Sequence, residues 1–132
     1  MPGLYETLEK RVNQMAGALA LPLGWEGKAF VEPAGPHLKA QVIFDDSRAA
    51  SLGKDGLNKT TGRVVVRVVV NSGENVQAAG LASQVAAQFP RGEGLEFDTG
   101  TGTITTPQCG APASDSLHSV ALVTINFYAF HA

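Results

Sequence analysis

Three residue types that could cooperate in catalysis lie close together in the last quarter of the sequence. Cys109, Asp115 and His118 could supply a nucleophile, an acid and a base. A catalytic thiol needs surroundings that stabilise the thiolate, such as a helix N-terminus or an imidazole held beside it. The polar stretch from Pro107 to Ser116 predicts neither. The sequence therefore favours a protein that is not an enzyme, with a thiol hydrolase using Cys109 and His118 as the enzymatic alternative.

The other candidates for metal or phosphate chemistry have unsuitable spacing. His37, His118 and His131 are scattered along the chain without the spacing of metal ligands. Asp45 and Asp46 are adjacent, so in a strand their side chains point to opposite faces and do not converge on one ion. The glycine-rich pieces match neither the phosphate-binding loop nor the dinucleotide fingerprint. The sequence predicts no metal site and no cofactor.

Length and composition favour one domain with no general affinity for polyanions. The chain has 132 residues, of which 44% are hydrophobic, enough for a single core. Its net charge of -2 gives no overall attraction to nucleic acid or to anionic membranes. Cys109 is the only cysteine, so we expect no internal disulfide and folding in a reducing cytoplasm. Met1 to Leu23 lacks the basic head and apolar run of a signal peptide.

Two amphipathic helices are predicted from apolar residues that recur at three- and four-residue steps. The first extends from about Pro2 to Ala20, and Pro22 ends it. The second follows a turn at Asn71 to Glu74 and ends near Phe89. It contains many alanines and a glycine, which suggests that it packs closely on a sheet.

Strands are predicted wherever side chains alternate between apolar and polar. The strongest signal places Val64, Val66, Val68 and Val70 on one face. The predicted strands are Trp25 to Phe30, His37 to Phe44, Arg63 to Val70, Leu95 to Asp98, Thr103 to Thr106 and Ser119 to Phe130. This order of elements predicts an α+β fold, with two helices packed on a mainly antiparallel sheet in a single domain of residues 1–132. The large aromatic residues expected to anchor this fold are Trp25 and Phe30.

A polar, glycine-containing segment, residues 45–61, is predicted to be a flexible loop. Leu52 and Leu57 are its only large apolar residues, and both would be exposed unless the loop ordered against a neighbouring molecule. Disorder and an interface role therefore both stay open. The residues predicted to contact a subunit or partner are Arg48, Leu52, Lys54, Leu57, Asn58 and Lys59, with Arg63 and Arg67 as possible inter-subunit charge partners.

Direct binding of nucleic acid is the less favoured use of this region. Lys54, Lys59, Arg63 and Arg67 form a local basic group that could meet phosphates. Asp55 dilutes the positive charge, and no aromatic residues alternate with the cations to stack on bases. The segment therefore favours protein contacts over base recognition.

Several motifs together resemble those of the phage tail terminator-like family. They are Trp25-Glu26-x-x-x-Phe30 followed by a Pro-Gly turn, the strand Leu38 to Ile43, Ser51-Leu52-Gly53, Gly56-Leu57-Asn58-x-x-x-Gly62 and the closing Phe127-Tyr128-Ala129-Phe130. Each motif is common by itself, but the combination is distinctive and covers nearly the whole chain.

This resemblance implies a structural virion protein that caps the end of the tail tube. Such a protein stops polymerisation of the tube subunits and forms the surface that joins the head. The resemblance further implies a homo-oligomer, a hexameric ring, whose partners are the tail tube protein and a head-completion or connector protein. DNA would pass through the ring without sequence-specific binding, and no membrane is involved. The protein would be made in the cytoplasm of the bacterial host and end in the virion tail. Another tail-completion or head-tail connector module on the same scaffold is the alternative, since a fold does not fix a function.

Overall fold

A computed structural model describes residues 2–49 and 57–131 of the chain. Within these residues, the chain forms two helices, each followed by a run of strands, with eight strands in total. In order they are α1 (Pro2–Leu19), β1 (Leu23–Trp25), β2 (His37–Ala49), β3 (Asn58–Asn71), α2 (Asn75–Ala87), β4 (Gly94–Phe97), β5 (Gly100–Ile104), β6 (Gln108–Cys109), β7 (Ala113–Ser114) and β8 (His118–His131).

The strands form one sheet in the order β1-β2-β3-β8-β5-β4. The short strands β6 and β7 pair with β8 beyond β5, so residues 100–114 follow β8 along most of its length. All pairs are antiparallel except β1 with β2, which is parallel. The predicted α+β class, with two helices on a mainly antiparallel sheet in a single domain, is confirmed.

The three long strands β2, β3 and β8 form the centre of the sheet. Val64 of β3 lies opposite Val42 on one side and Ile125 on the other. Because side chains alternate along a strand, the row of Val64, Val66 and Val68 points toward the helices and is buried. We call this helix-covered surface the inner face and the opposite surface the outer face.

Both helices contribute to one apolar core on the inner face. The buried residues of α1 are Leu4, Leu8, Val12, Met15 and Ala16, and those of α2 are Ala78, Ala82 and Val85. The small residues of α2 allow its backbone to approach the sheet closely, as its alanine content predicted. Neither described helix has the length and apolar character needed to cross a membrane.

The structure corrects the predicted loop 45–61. Residues 45–49 belong to β2 and residues 58–61 to β3, so much of the segment is a strand pair. Asp45 is the extra residue of an irregularity in the pairing, where Phe44 faces Gly62 but Asp46 faces Thr61. Such a bulge shifts the alternation of side chains by one residue, which hides the strand from a periodicity search. Leu52 and Lys54 lie outside the described residues.

Three smaller predictions also need correction. The extended segment predicted at Trp25 to Phe30 contains only the last residue of β1, and Glu26 and Gly27 leave the strand. The strand predicted at Thr103 to Thr106 begins earlier, at Gly100, so Asp98 and Thr99 connect β4 to β5. The polar stretch of residues 107–116, where no strand is predicted, contains β6 and β7, which pair with β8.

Candidate functional site

The three residues with catalytic potential do not come together. Cys109 lies opposite Val123 of β8, whereas His118 begins that strand five positions earlier, on the order of 15 Å away along it. The Cys109 thiol contacts the carbonyl oxygen of Ala82 at 3.7 Å. Asp115 accepts hydrogen bonds from backbone groups. Among the residues that the structure describes, no group of His, Cys, Asp or Glu side chains could hold a metal ion.

The outer face of the sheet carries a concentration of positive charge. Arg67 lies between Lys39 and Leu122, and Lys59 lies between Arg48 and Phe130. Directly paired residues share a face, so these side chains and Arg63 lie on the outer face. Half of the ten lysine and arginine residues of the sequence are therefore on one face of two strands, β2 and β3. We call this set the basic stripe: Lys39, Arg48, Lys59, Arg63 and Arg67.

Three cations of the basic stripe have carboxylate partners within the chain. Lys39 forms an ion pair with Glu32, and its ammonium group lowers the pKa of that carboxyl through a hydrogen bond and its positive charge. Arg48 Nη2 is 2.7 Å from an Asp46 carboxylate oxygen. Arg63 is less closely paired, with Nη2 4.0 Å from Asp45 Oδ1. All three pairs are exposed, where each contributes little to stability.

Lys59 occupies an aromatic environment instead. Its ammonium nitrogen is 5.4 Å from the ring centre of Tyr128 and 5.8 Å from that of Phe130. The two rings are in an edge-to-face arrangement 5.9 Å apart. Cation-π attraction of this kind contributes about 0.5–1 kcal/mol at exposed positions. The sequence predicted no aromatic residues near the basic group, but β8 supplies two. Their position beside Lys59 follows from the strand pairing and not from the local sequence.

The C-terminal end of β2 and the N-terminal end of β3 form a hairpin arm, defined as residues 44–49 and 57–62. Its predicted interface residues are Arg48, Leu57, Asn58 and Lys59. Leu57 is 48% exposed, and Phe44, which sequence reasoning did not select, is 41% exposed. Thr60 is buried in the arm and lies within hydrogen-bond distance of Ser47 and His131.

The two aromatic residues predicted to anchor the fold lie on opposite faces of the sheet. Trp25 is buried on the inner face, where its indole nitrogen donates a hydrogen bond to Asn13 Oδ1 at 3.1 Å. Phe30 lies on the outer face against Gly24 and is 5.9 Å from the ring of His37. The segment after β1 therefore covers the outer face at the His37 end of the sheet.

A second charged surface lies where α2 begins. We call it the acidic corner: Glu74, Val76, Asp115 and Leu117. Ser114 donates a hydrogen bond to Asn75 Oδ1 and Ser72 donates one to the carbonyl oxygen of Asp115, both at 2.6 Å. These contacts join the turn before α2 to the turn after β7. Val76 is 89% exposed and Leu117 is 73% exposed, so two apolar side chains project beside two carboxylates.

Stability should depend on the ionisation of Asp115. The backbone N–H groups of His118 and Leu117 donate to Asp115 Oδ1 at 2.7 and 2.8 Å, and these bonds lower the pKa of the carboxyl. A carboxyl whose pKa is lowered in the folded state stabilises the fold above its unfolded pKa, near ~3.9. That contribution is lost as the pH falls through the pKa of Asp115 in the folded state.

We therefore expect Asp115→Asn to lose part of this pH dependence. Urea unfolding at pH 7 and pH 3 should show a smaller loss of stability on acidification in the variant than in the wild-type protein. Glu74→Gln is the control, because the Glu74 side chain makes no capping hydrogen bond at α2. An equal effect of acid on Asp115→Asn and wild type would contradict the role assigned to this carboxylate.

Comparison with known proteins identifies the family of this chain. The model of the phage tail terminator protein family matches residues 3–127. The chain belongs to this family, as the sequence motifs predicted.

The fold itself recurs among solved structures. One of them, which has no functional name, is 21% identical, with a TM-score of 0.76, and the match covers 96% of this chain and 92% of that one. At this identity the likeness shows the fold alone. No curated protein matches the chain in sequence.

Membership of this family establishes the general role. The chain is a structural phage tail protein, located in the tail of the virion, and it interacts with other tail or head proteins.

Proposed function

We propose that this protein caps the end of the phage tail tube, ends the polymerisation of tube subunits and forms the surface that joins the head. Its family carries the proposal, since the match extends over residues 3–127. A cap must bind the last tube subunit through one surface. It must also lack a surface to which a further tube subunit could bind. The exposed hairpin arm is suited to the first task, because Phe44 at its base and Leu57 near its tip expose apolar area.

The capping form is a closed ring of copies, hexameric by the family resemblance. A ring needs head-to-tail contacts between two different surfaces of each subunit. Beyond Ala40, where β1 ends its pairing, the strand β2 forms an edge of the described sheet. This edge lies on one side of β8 in the sheet, and β7, which adjoins the acidic corner, lies on the other. DNA would pass through the ring without sequence-specific binding, in keeping with the net charge of -2.

The proposal is tested on growing tail tubes. Purified protein added to polymerising tube subunits should shorten the tubes, and negative-stain images should show density at their ends. Tubes that elongate normally at saturating protein would defeat the proposal. If the protein instead binds the head connector while tubes grow unhindered, it is a head-tail connector module on the same scaffold.

The role of the hairpin arm is tested by Leu57→Glu. Leu57 is exposed in the free protein but would be buried against the tube. A charge at this position should therefore weaken binding to tube ends by at least about tenfold, as expected when a charge replaces an apolar residue in an interface. Val31→Glu is the matched control, because Val31 is 92% exposed in a different part of the chain and should bind as wild type. Equal binding by both variants would remove the arm from the tube contact.

A further inference from the structure

We propose that the basic stripe of one copy, centred on Arg67, binds the acidic corner of a second copy. This inference deepens the proposed function and rests on it, because it assigns the two surfaces that the ring would join. The proposal commits to a second copy of this chain as the partner, on grounds of charge and shape.

Arg67 is the cation of the stripe that most needs an external partner. Directly opposite like charges destabilise a strand pair, and Arg67 lies opposite Lys39. Lys39 is compensated by Glu32. Within the described ranges 2–49 and 57–131, no carboxylate lies within ion-pair distance of Arg67. A carboxylate from another molecule would relieve this repulsion.

The surroundings of Arg67 favour a protein surface over nucleic acid. Leu122 lies beside Arg67 on β8 and is 42% exposed, and the half-buried Val65 lies on the same outer face. A cation next to exposed apolar side chains is typical of a protein interface, where binding removes water from the cation and from the apolar side chains together. Duplex DNA would contact such a face mainly through phosphates and would leave the apolar area uncovered.

The acidic corner has the complementary composition. Glu74 and Asp115 supply carboxylates, and Val76 and Leu117 supply exposed apolar area. The sequence has no lysine or arginine between Arg67 and Arg91 and none after Arg91. Among the described residues, neither Glu74 nor Asp115 forms an ion pair with a lysine or arginine. The Glu74 side chain makes no capping hydrogen bond at α2, which leaves its carboxylate available.

The two surfaces are placed for head-to-tail contact. The basic stripe lies on β2 and β3, whereas β7, next to the acidic corner, pairs with β8 on the side away from β3. Within the sheet, the stripe therefore lies on one side of β8 and the corner on the other, so they are two different surfaces of one copy. A heterologous contact of this kind can be repeated around a ring.

A charge exchange between Arg67 and Glu74 tests the proposal. Arg67→Glu alone and Glu74→Lys alone should each weaken self-association, and occupancy of tube ends, by at least about tenfold. An equimolar mixture of the two variants should recover association, because the altered stripe of one meets the altered corner of the other. Sedimentation velocity of the free protein and counts of copies on tube ends measure the effect.

Two exposed residues elsewhere provide matched controls. Arg91→Glu and Glu6→Lys make the same changes of charge away from both surfaces and should associate as wild type. If Arg67→Glu and Glu74→Lys cap tubes normally, the inference fails while the proposed function stands. If wild-type protein never binds tube ends, the proposed function fails as well. If Arg67→Glu assembles normally but loses binding to duplex DNA, the stripe is a nucleic-acid surface and the inference is overturned.

Discussion

Phe89→Ala is expected to destabilise the fold by about 3–5 kcal/mol, the usual cost of removing a buried phenylalanine. Phe89 is 1% exposed and follows the last turn of α2. The guanidinium carbon of Arg11 is 4.5 Å from its ring centre. Arg11 also donates hydrogen bonds to both carboxylate oxygens of Glu93 and to the carbonyl oxygen of Gln88. The Phe89 ring therefore packs where α1, the end of α2 and the residues before β4 meet.

The loss can be measured by urea unfolding followed through Trp25. This residue is the only tryptophan and is buried, so its fluorescence reports loss of the core. The melting temperature should fall by at least about 10 °C. Phe130→Ala is the matched control, since that ring is 36% exposed and its removal should cost about 1 kcal/mol. Similar losses for both variants would show that Phe89 does not support the junction as described.

The elements with strong periodicity were predictable from sequence, because their patterns follow from burial on one face. The helix predicted from Pro2 to Ala20 and the valine strand around Val66 are examples. The hairpin arm was not predictable, since its β2 residues 44–48 are exposed and the bulge at Asp45 interrupts the alternation. Where no face is consistently buried, hydrophobic patterning carries no information about strand pairing.

The surfaces were only partly predictable. The sequence places Arg63 and Arg67 on the face of the valine strand opposite the valine row and predicts them as possible charge partners. That Lys39 lies beside Arg67 follows from the pairing of β2 with β3, which the sequence alone does not specify. The acidic corner joins Glu74 to Asp115, far apart in sequence, through hydrogen bonds between two turns. Contacts between residues so far apart in the chain leave no recognisable pattern in the local sequence.

Gly100→Ala is expected to destabilise the protein by about 3 kcal/mol, because the added methyl group has no space. A Cβ atom at Gly100 would lie 2.0 Å from the carbonyl oxygen of Phe130 and 2.8 Å from the Cα atom of His131. These are backbone atoms, so no side-chain rotation relieves the overlap. Glycine within a strand often marks such a close approach of another backbone. The start of β5 would have to move away from the end of β8.

Amide hydrogen exchange should locate that movement. We expect faster exchange in β5 and in residues 127–131 of β8, where the two strands pair, with less change in α1. Gly94→Ala is the matched control, because a Cβ atom there meets nothing within 4 Å, and its cost should stay within about 0.5 kcal/mol. If Gly100→Ala were as stable as Gly94→Ala, the close packing of β5 on β8 would be contradicted. Because Phe130 lies beside Lys59 at this end of the sheet, the same displacement should also disturb the basic stripe and weaken association.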